Sequence, residues 1–135
     1  MKKARIFIFS LWIIMSSFSN KTEPKTAVEV VQMQLDAYNR QDIQAFSALF
    51  SEHVLVYRNL GDSVPSIRGR AEVEKNYGEM FKKYPNNKST LIGRMQEGNF
   101  VIDHEWITGR EKEIKIMAIY EVSEGLIVRC WFIRS

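Results

Sequence analysis

Apolar side chains recur at three- and four-residue steps from Val28 through Val31 and Leu35 to Tyr38, the period of one helical face. Thr26 and Glu29, just ahead of that run, match a capping box, in which the Thr oxygen accepts from an early backbone N–H and the Glu reaches back. Asn39, Arg40 and Gln41 interrupt the pattern. Asp42 then predicts the cap of a second helix, because its carboxylate can accept from N–H groups that lack helical partners. Ile43, Phe46, Leu49 and Phe50 supply the apolar face of that helix. The β-branched and aromatic run Val54–Arg58 predicts a strand. Asn59–Gly69, with Gly61, Pro65 and Gly69, predicts a loop. Arg70–Tyr84 returns to helical spacing through Val73, Tyr77, Met80, Phe81 and Tyr84. Gly78 inside it costs about 1 kcal/mol relative to Ala, which implies a close neighbour at that point. Pro85 and the two asparagines after it end the helix.

Four further runs read as strands: Asn87–Gln96, Asn99–Thr108, Lys112–Ser123 and Leu126–Arg134. Gly98, Gly109 and Gly125 in the short connections between these four runs predict an antiparallel meander. Three helices followed by such a sheet give an α+β layout, and a curved sheet wrapped over the helices leaves a cavity at its open end. Alternation within 99–108 puts Phe100, Ile102, His104 and Trp106 on one face and Val101, Asp103, Glu105 and Ile107 on the other. The first is the more hydrophobic and is predicted to face the interior, with Asp103 and Glu105 outward. In 112–123 the same criterion turns Ile114, Ile116, Ala118, Tyr120 and Val122 inward. Both faces of 126–134 are largely apolar, which predicts a homodimer through the outer face of the sheet.

Composition narrows this picture. A chain of 135 residues, 45% hydrophobic and 26% charged, suits one domain with one core. The formal charge of +3 comes from 19 basic against 16 acidic side chains, and Lys2, Lys3 and Arg5 at the start account for that excess. The remainder is neutral, with no basic stripe, which excludes nucleic acid as an expected partner. A single cysteine, Cys130, excludes an intrachain disulfide and reads as a small buried hydrophobe. With His53 and His104 at irregular spacing it makes no zinc site, so no metal is expected. Residues 1–19 have a basic start, a short apolar run and then small residues, the order of a signal peptide. Export to the periplasm or the medium follows, with no membrane contact after cleavage. The alternative is an uncleaved N-terminal anchor. Residues 20–25 are a flexible lead-in, and 26–135 the domain.

The segments LDAYNRQDIQAFSALFSEHVLVY, IRGRAEVEKNYGEMF, GNFVIDHEWITG and AIYEVSEGLIVRCWFIR, in this order and spacing, resemble the SnoaL-like branch of the nuclear transport factor 2-like superfamily. The resemblance covers about Thr26–Arg134. It implies a cystatin-like cone: a curved mixed sheet around three helices, with a deep, mostly apolar pocket and a common dimeric state. The superfamily includes ketosteroid isomerases, polyketide cyclases, epoxide hydrolases and dehydratases. Aligned on QDIQAF and on the EGLI turn, the isomerases' tyrosine, base and protonated aspartate fall on Gln34, Arg58 and Met117. Arg58 is no base near neutral pH and Met117 no hydrogen-bond donor, so that isomerase chemistry is not expected. The same alignment turns Met117, Ile119, Cys130 and Phe132 toward the pocket, in conflict with the hydrophobicity of 112–123.

Three functions are compatible with these residues. The first is an exported protein that binds a small apolar molecule, lined by Tyr38, Phe50, Tyr57, Met80, Trp106, Met117 and Phe132. The second is an acid/base enzyme of isomerase, cyclase or dehydratase type with His104 as its catalytic residue. Tyr38 or Tyr57 would polarise a carbonyl, and Asp103 or Glu105 would assist only if the strand faces the other way. The third is a protein-interaction domain using the outer sheet face. The chain has no phosphate loop, nucleotide fingerprint or nucleophile motif, so no cofactor is expected.

Overall fold

The computed structural model describes residues 23–134; the expected signal segment lies outside them. Helix α1 spans Ala27–Arg40, α2 Ile43–Ser47 and α3 Arg70–Lys83. The strands are β1 Phe50–Tyr57, β2 Ile67–Arg68, β3 Lys88–Glu97, β4 Phe100–Thr108, β5 Ile114–Ser123 and β6 Leu126–Arg134. The capping box forms: the Glu29 N–H donates to Thr26 Oγ1 at 3.2 Å and the Thr26 N–H to Glu29 Oε2 at 2.7 Å. Asp42 caps α2 by accepting from the Ala45 N–H at 3.0 Å. That helix is short, and the chain is already in β1 at Phe50, four residues before the expected start of the strand. The two residues of β2 lie in the stretch expected to be loop.

Helices and a mixed six-stranded sheet form an α+β fold, with strand order β2-β1-β6-β5-β4-β3. β3 to β6 are the expected antiparallel meander. β1 enters beside β6 and parallel to it. Register shifts between Leu91 and Gly93 and between Glu121 and Val122 are bulges of the kind that bend a sheet. Between sheet and helices sits an aromatic cluster. The Phe46 ring lies 5.0 Å from Phe50, 4.7 Å from Tyr77 and 5.9 Å from Phe81, centroid to centroid. Val30, Val31, Val54, Val73 and Ile127 complete a solvent-free floor beneath it. Gly78 does have a neighbour: a Cβ there would meet Ile43 Cγ1 at 3.5 Å, an ordinary packing distance.

The facing of β4 is the reverse of the expectation. Val101, Asp103, Glu105 and Ile107 are the buried residues, and Phe100, Ile102, His104 and Trp106 point away from the helices. The physical reason lies on β3, which supplies a polar partner for each inward carboxylate: Arg94 for Asp103 and Ser89 for Glu105. Paired in this way, the Asp103 charge can occupy an interior face, and Glu105 is bonded there through one of its oxygens. β5 follows its hydrophobicity, with Ile116, Ala118, Tyr120 and Val122 buried, so Met117 and Ile119 face outward, against the alignment. Cys130 and Phe132 face inward, as the alignment has them: across the ladder they pair with Tyr120 and Ala118. The outer face consequently exposes Met95 (70%), Trp106 (40%), Phe100 (40%), Ile133 (39%) and Met117 (38%).

Candidate functional site

Two adjoining cavities lie on the helix side of the sheet. The inner one, about 130 Å³, lies between α1, α3 and the inner faces of β4, β5 and β6, with Gln34, Tyr38, Met80, Glu105 and Tyr120 on its walls. The outer one, about 200 Å³, is bounded by Val56, Arg58, Ile67 and Asn76. Tyr77, Met80, Phe132 and Arg134 line both. A larger depression of about 640 Å³ between α2 and α3 is a surface groove remote from the sheet's interior, with Glu74, Lys75, Glu79 and Lys82 along it.

α1 brings two groups to the inner cavity. Gln34 is one turn before Tyr38, so both project from the helical face that meets the sheet. The Tyr38 hydroxyl oxygen accepts from Arg110 Nη2 at 2.7 Å, which leaves its own proton available to another acceptor. Burial raises the Tyr38 pKa, and the positive charge of Arg110 only partly offsets this. Arg110 is held by a second bond, from Nε to Asn87 Oδ1 at 2.6 Å, and reaches Met80 Sδ at 3.0 Å. Gly109 places this arginine. Its φ is +77°, and a Cβ there would lie 2.0 Å from the Asn86 carbonyl oxygen. Only glycine lets the turn after β4 lie directly on the Asn86–Asn87 backbone.

β4 brings the carboxylates. Asp103 is fully buried and closed by Arg94 through two bonds, Nε to Oδ1 at 2.6 Å and Nη2 to Oδ2 at 2.8 Å. Arg94 Nη1 also donates to Gln32 Oε1 at 2.9 Å. Glu105, two residues on, accepts one bond from Ser89 Oγ to Oε2 at 2.6 Å. Its Oε1 is buried and finds no hydrogen-bond partner among the described residues, and the same holds for Gln34 Oε1. Burial pushes the Glu105 carboxyl up to about 6. The Ser89 bond opposes the rise, the charge of Asp103 adds to it, and the charge of Arg94 and the neighbouring Tyr120 hydroxyl reduce it. Burial also raises the hydroxyls of Tyr77 and Tyr120 and takes the Cys130 thiol up to about 12.

Of the residues expected to form the site, Tyr38, Met80 and Phe132 come together. Phe50 is core, packed on Phe46 and away from both cavities. Tyr57 lies on the outer face, stacked on Trp131 at 5.6 Å with the rings 9° from parallel. Trp106 and Met117 are on that same outer face. His104 sits there too, between Gly93 and Met117 in the ladder, so it has no reach into the cavity. The carboxylate the cavity does contain is Glu105. It could be anticipated only by assigning β4 the opposite facing. Arg110 and Gln34 were also missed. For Gln34 the signal was the alignment, which set it at the position of the isomerases' tyrosine. For Arg110 only the preceding Gly109 hinted at a fixed turn.

The sequence pattern of the SnoaL-like domain family matches residues 31–130. No curated protein matches the sequence. Among solved structures, an uncharacterized cystatin-fold protein from Novosphingobium aromaticivorans superposes with a TM-score of 0.75 at 19% identity, over 82% of this chain and 99% of that one. A candidate ketosteroid isomerase from Kribbella flavida gives 0.69 at 19% identity, over 83% and 79%. A candidate polyketide cyclase from Streptomyces antibioticus gives 0.68 at 19% identity, over 82% and 93%. At these identities the likeness is one of fold.

Proposed function

This chain belongs to the SnoaL-like domain family, and from that membership we propose that it is a binding domain for a small molecule seated in the cavity between Tyr38, Met80, Phe132 and Glu105. The observation that carries the reading is the pair of orphaned acceptors, Glu105 Oε1 and Gln34 Oε1, on the wall of one cavity. A buried acceptor without a donor costs about 1–3 kcal/mol, and a ligand or water that donates to both recovers that cost. The ligand has an apolar body against Phe132, Met80 and Tyr77 and a polar end at the two acceptors. Thermal denaturation of the purified protein against a panel of hydroxylated aromatic compounds tests this, since a ligand that prefers the folded chain raises the midpoint. Binders should lose their effect in Glu105→Leu; a shift that is the same in that variant would place the ligand elsewhere.

A second reading, an acid/base enzyme, moves from His104 to Glu105. A carboxyl held near 6 and facing a cavity is suited to proton transfer at neutral pH, and Tyr38, whose oxygen already accepts from Arg110, is the donor to a substrate carbonyl. The readout is deuterium exchange beside the carbonyl of a small cyclic ketone in D2O, followed by NMR. Exchange faster with the protein than with Glu105→Gln supports the enzyme; equal rates remove it.

The exposed apolar outer face, with Trp106 and Met117 on adjacent strands, supports a homodimer through the sheet. Sedimentation should show a dimer that Trp106→Arg converts to monomer. Export by residues 1–19 remains part of the reading, and N-terminal sequencing of mature protein from the producing cell checks it.

A further inference from the structure

The outer cavity has a chemical sign that the inner one lacks. Arg58 and Arg134 both line it, and no carboxylate does. Arg134 also reaches the inner cavity, where Arg110 stands. Among the described residues, none of these three guanidinium groups forms an ion pair, and the partners of Arg110 are neutral: Tyr38, Asn87 and Met80. Arg134 is additionally steered by the Phe132 ring, 5.9 Å from its guanidinium carbon. Unopposed guanidinium groups around a partly enclosed, half-apolar opening are a recognition surface for a planar anion, which they can bind through two parallel bonds.

The opposite end of the path has the opposite preference. Glu105 and Gln34 present acceptors that need donors. Between the two ends run Phe132, Met80 and Tyr77, common to both cavities. The inner volume of about 130 Å³ is near the size of an apolar cavity, about 150 Å³, that takes one benzene ring.

Resting on the binding reading above, we infer that the ligand is a small monocyclic carboxylate with a hydroxyl or amine at its far end. Its ring fills the inner cavity, its donor meets Glu105 and Gln34, and its carboxylate lies in the outer cavity against Arg58 and Arg134.

The test is calorimetric titration of the full chain with 4-hydroxyphenylacetate and with its neutral amide, at millimolar ligand. The carboxylate should bind roughly tenfold more tightly than the amide, the size of effect one charge-assisted bond gives. That preference should shrink with added salt and vanish in the double variant Arg58→Gln/Arg134→Gln. An unchanged thermal denaturation midpoint of the variant without ligand shows that its fold is intact. Equal affinity of the wild-type protein for the two compounds overturns the charge selection and leaves the binding reading standing. So does a carboxylate preference that survives in the double variant. Binding of neither compound overturns both.

Discussion

Asp103 and Glu105 are two buried carboxylates on the same face of the same strand, and their surroundings treat them in opposite ways. Asp103 has a guanidinium on both oxygens, and that arginine is tied onward to Gln32 on α1. Its end of the sheet is closed. Glu105 has the Ser89 hydroxyl on one oxygen, while its other oxygen is buried without a hydrogen-bond partner among the described residues, at the wall of a cavity. Identical chemistry two residues apart thus serves as a fastening in one place and as an available group in the other. The difference is made by β3, where one cross-strand neighbour is Arg94 and the other is Ser89. A buried acid becomes informative about function only once its partners are counted.

The sharpest way to break the comparison is to open the closed end. Arg94→Met strands Asp103 as an unpaired buried charge and should cost about 3–5 kcal/mol in urea denaturation. Adding Asp103→Leu should return most of that loss, because replacing both members of a buried pair with apolar groups is close to neutral. If the single variant unfolds no more easily than wild type, Asp103 is not fastened as described.

Closing the open end should have the opposite sign and a smaller size. The Glu105 carboxyl titrates near 6 in the folded chain, against an ordinary 4.5. The folded state therefore holds its proton more tightly than the unfolded state. The stability that this proton gives is complete below pH 4.5 and is lost as pH rises through 6. The loss is about 2 kcal/mol at neutral pH. Glu105→Gln should make the protein about 1–2 kcal/mol more stable at pH 7.5 and no different at pH 4. A pH-independent gap between the two proteins would show that the carboxyl has its ordinary pKa. The smallest change is Ser89→Ala, which removes the hydroxyl that donates to Glu105 Oε2 and should lift its titration further. Carboxyl carbon NMR of Glu105 would follow that shift.

Local periodicity carried most of the fold. The Thr26–Glu29 box, the Asp42 cap and the glycines at 98, 109 and 125 mark element ends through bonds and dihedral angles confined to a few residues, so they are legible in the chain. The candidate site is legible only where it sits on a strong helical face, as Tyr38 and Met80 do, or where the alignment named it, as with Phe132. The facing of β4 was not legible. Hydrophobicity ranks Phe100, Ile102 and Trp106 above Asp103 and Glu105, and the ranking fails because Arg94, nine residues away, offsets the charge of Asp103, while Ser89, sixteen away, bonds one oxygen of Glu105. Phe50 was misplaced for a local reason: α2 stops at Ser47, and an apolar residue at helical spacing became the first residue of a strand.

The parallel neighbours β1 and β6 come from opposite ends of the domain, with Val56 level with Cys130. The Leu49 carbonyl also accepts from the Ile127 N–H at 2.8 Å. The central position in the sheet is therefore filled by the last strand of the domain to be made. Until it arrives, α1, α2 and β1 have no completed surface to condense on, and the loop that must close spans most of the polypeptide. Contacts so distant along the chain slow the search for the native state. A nascent chain halted before residue 126 should stay sensitive to protease, and release of the last nine strand residues should bring protection all at once.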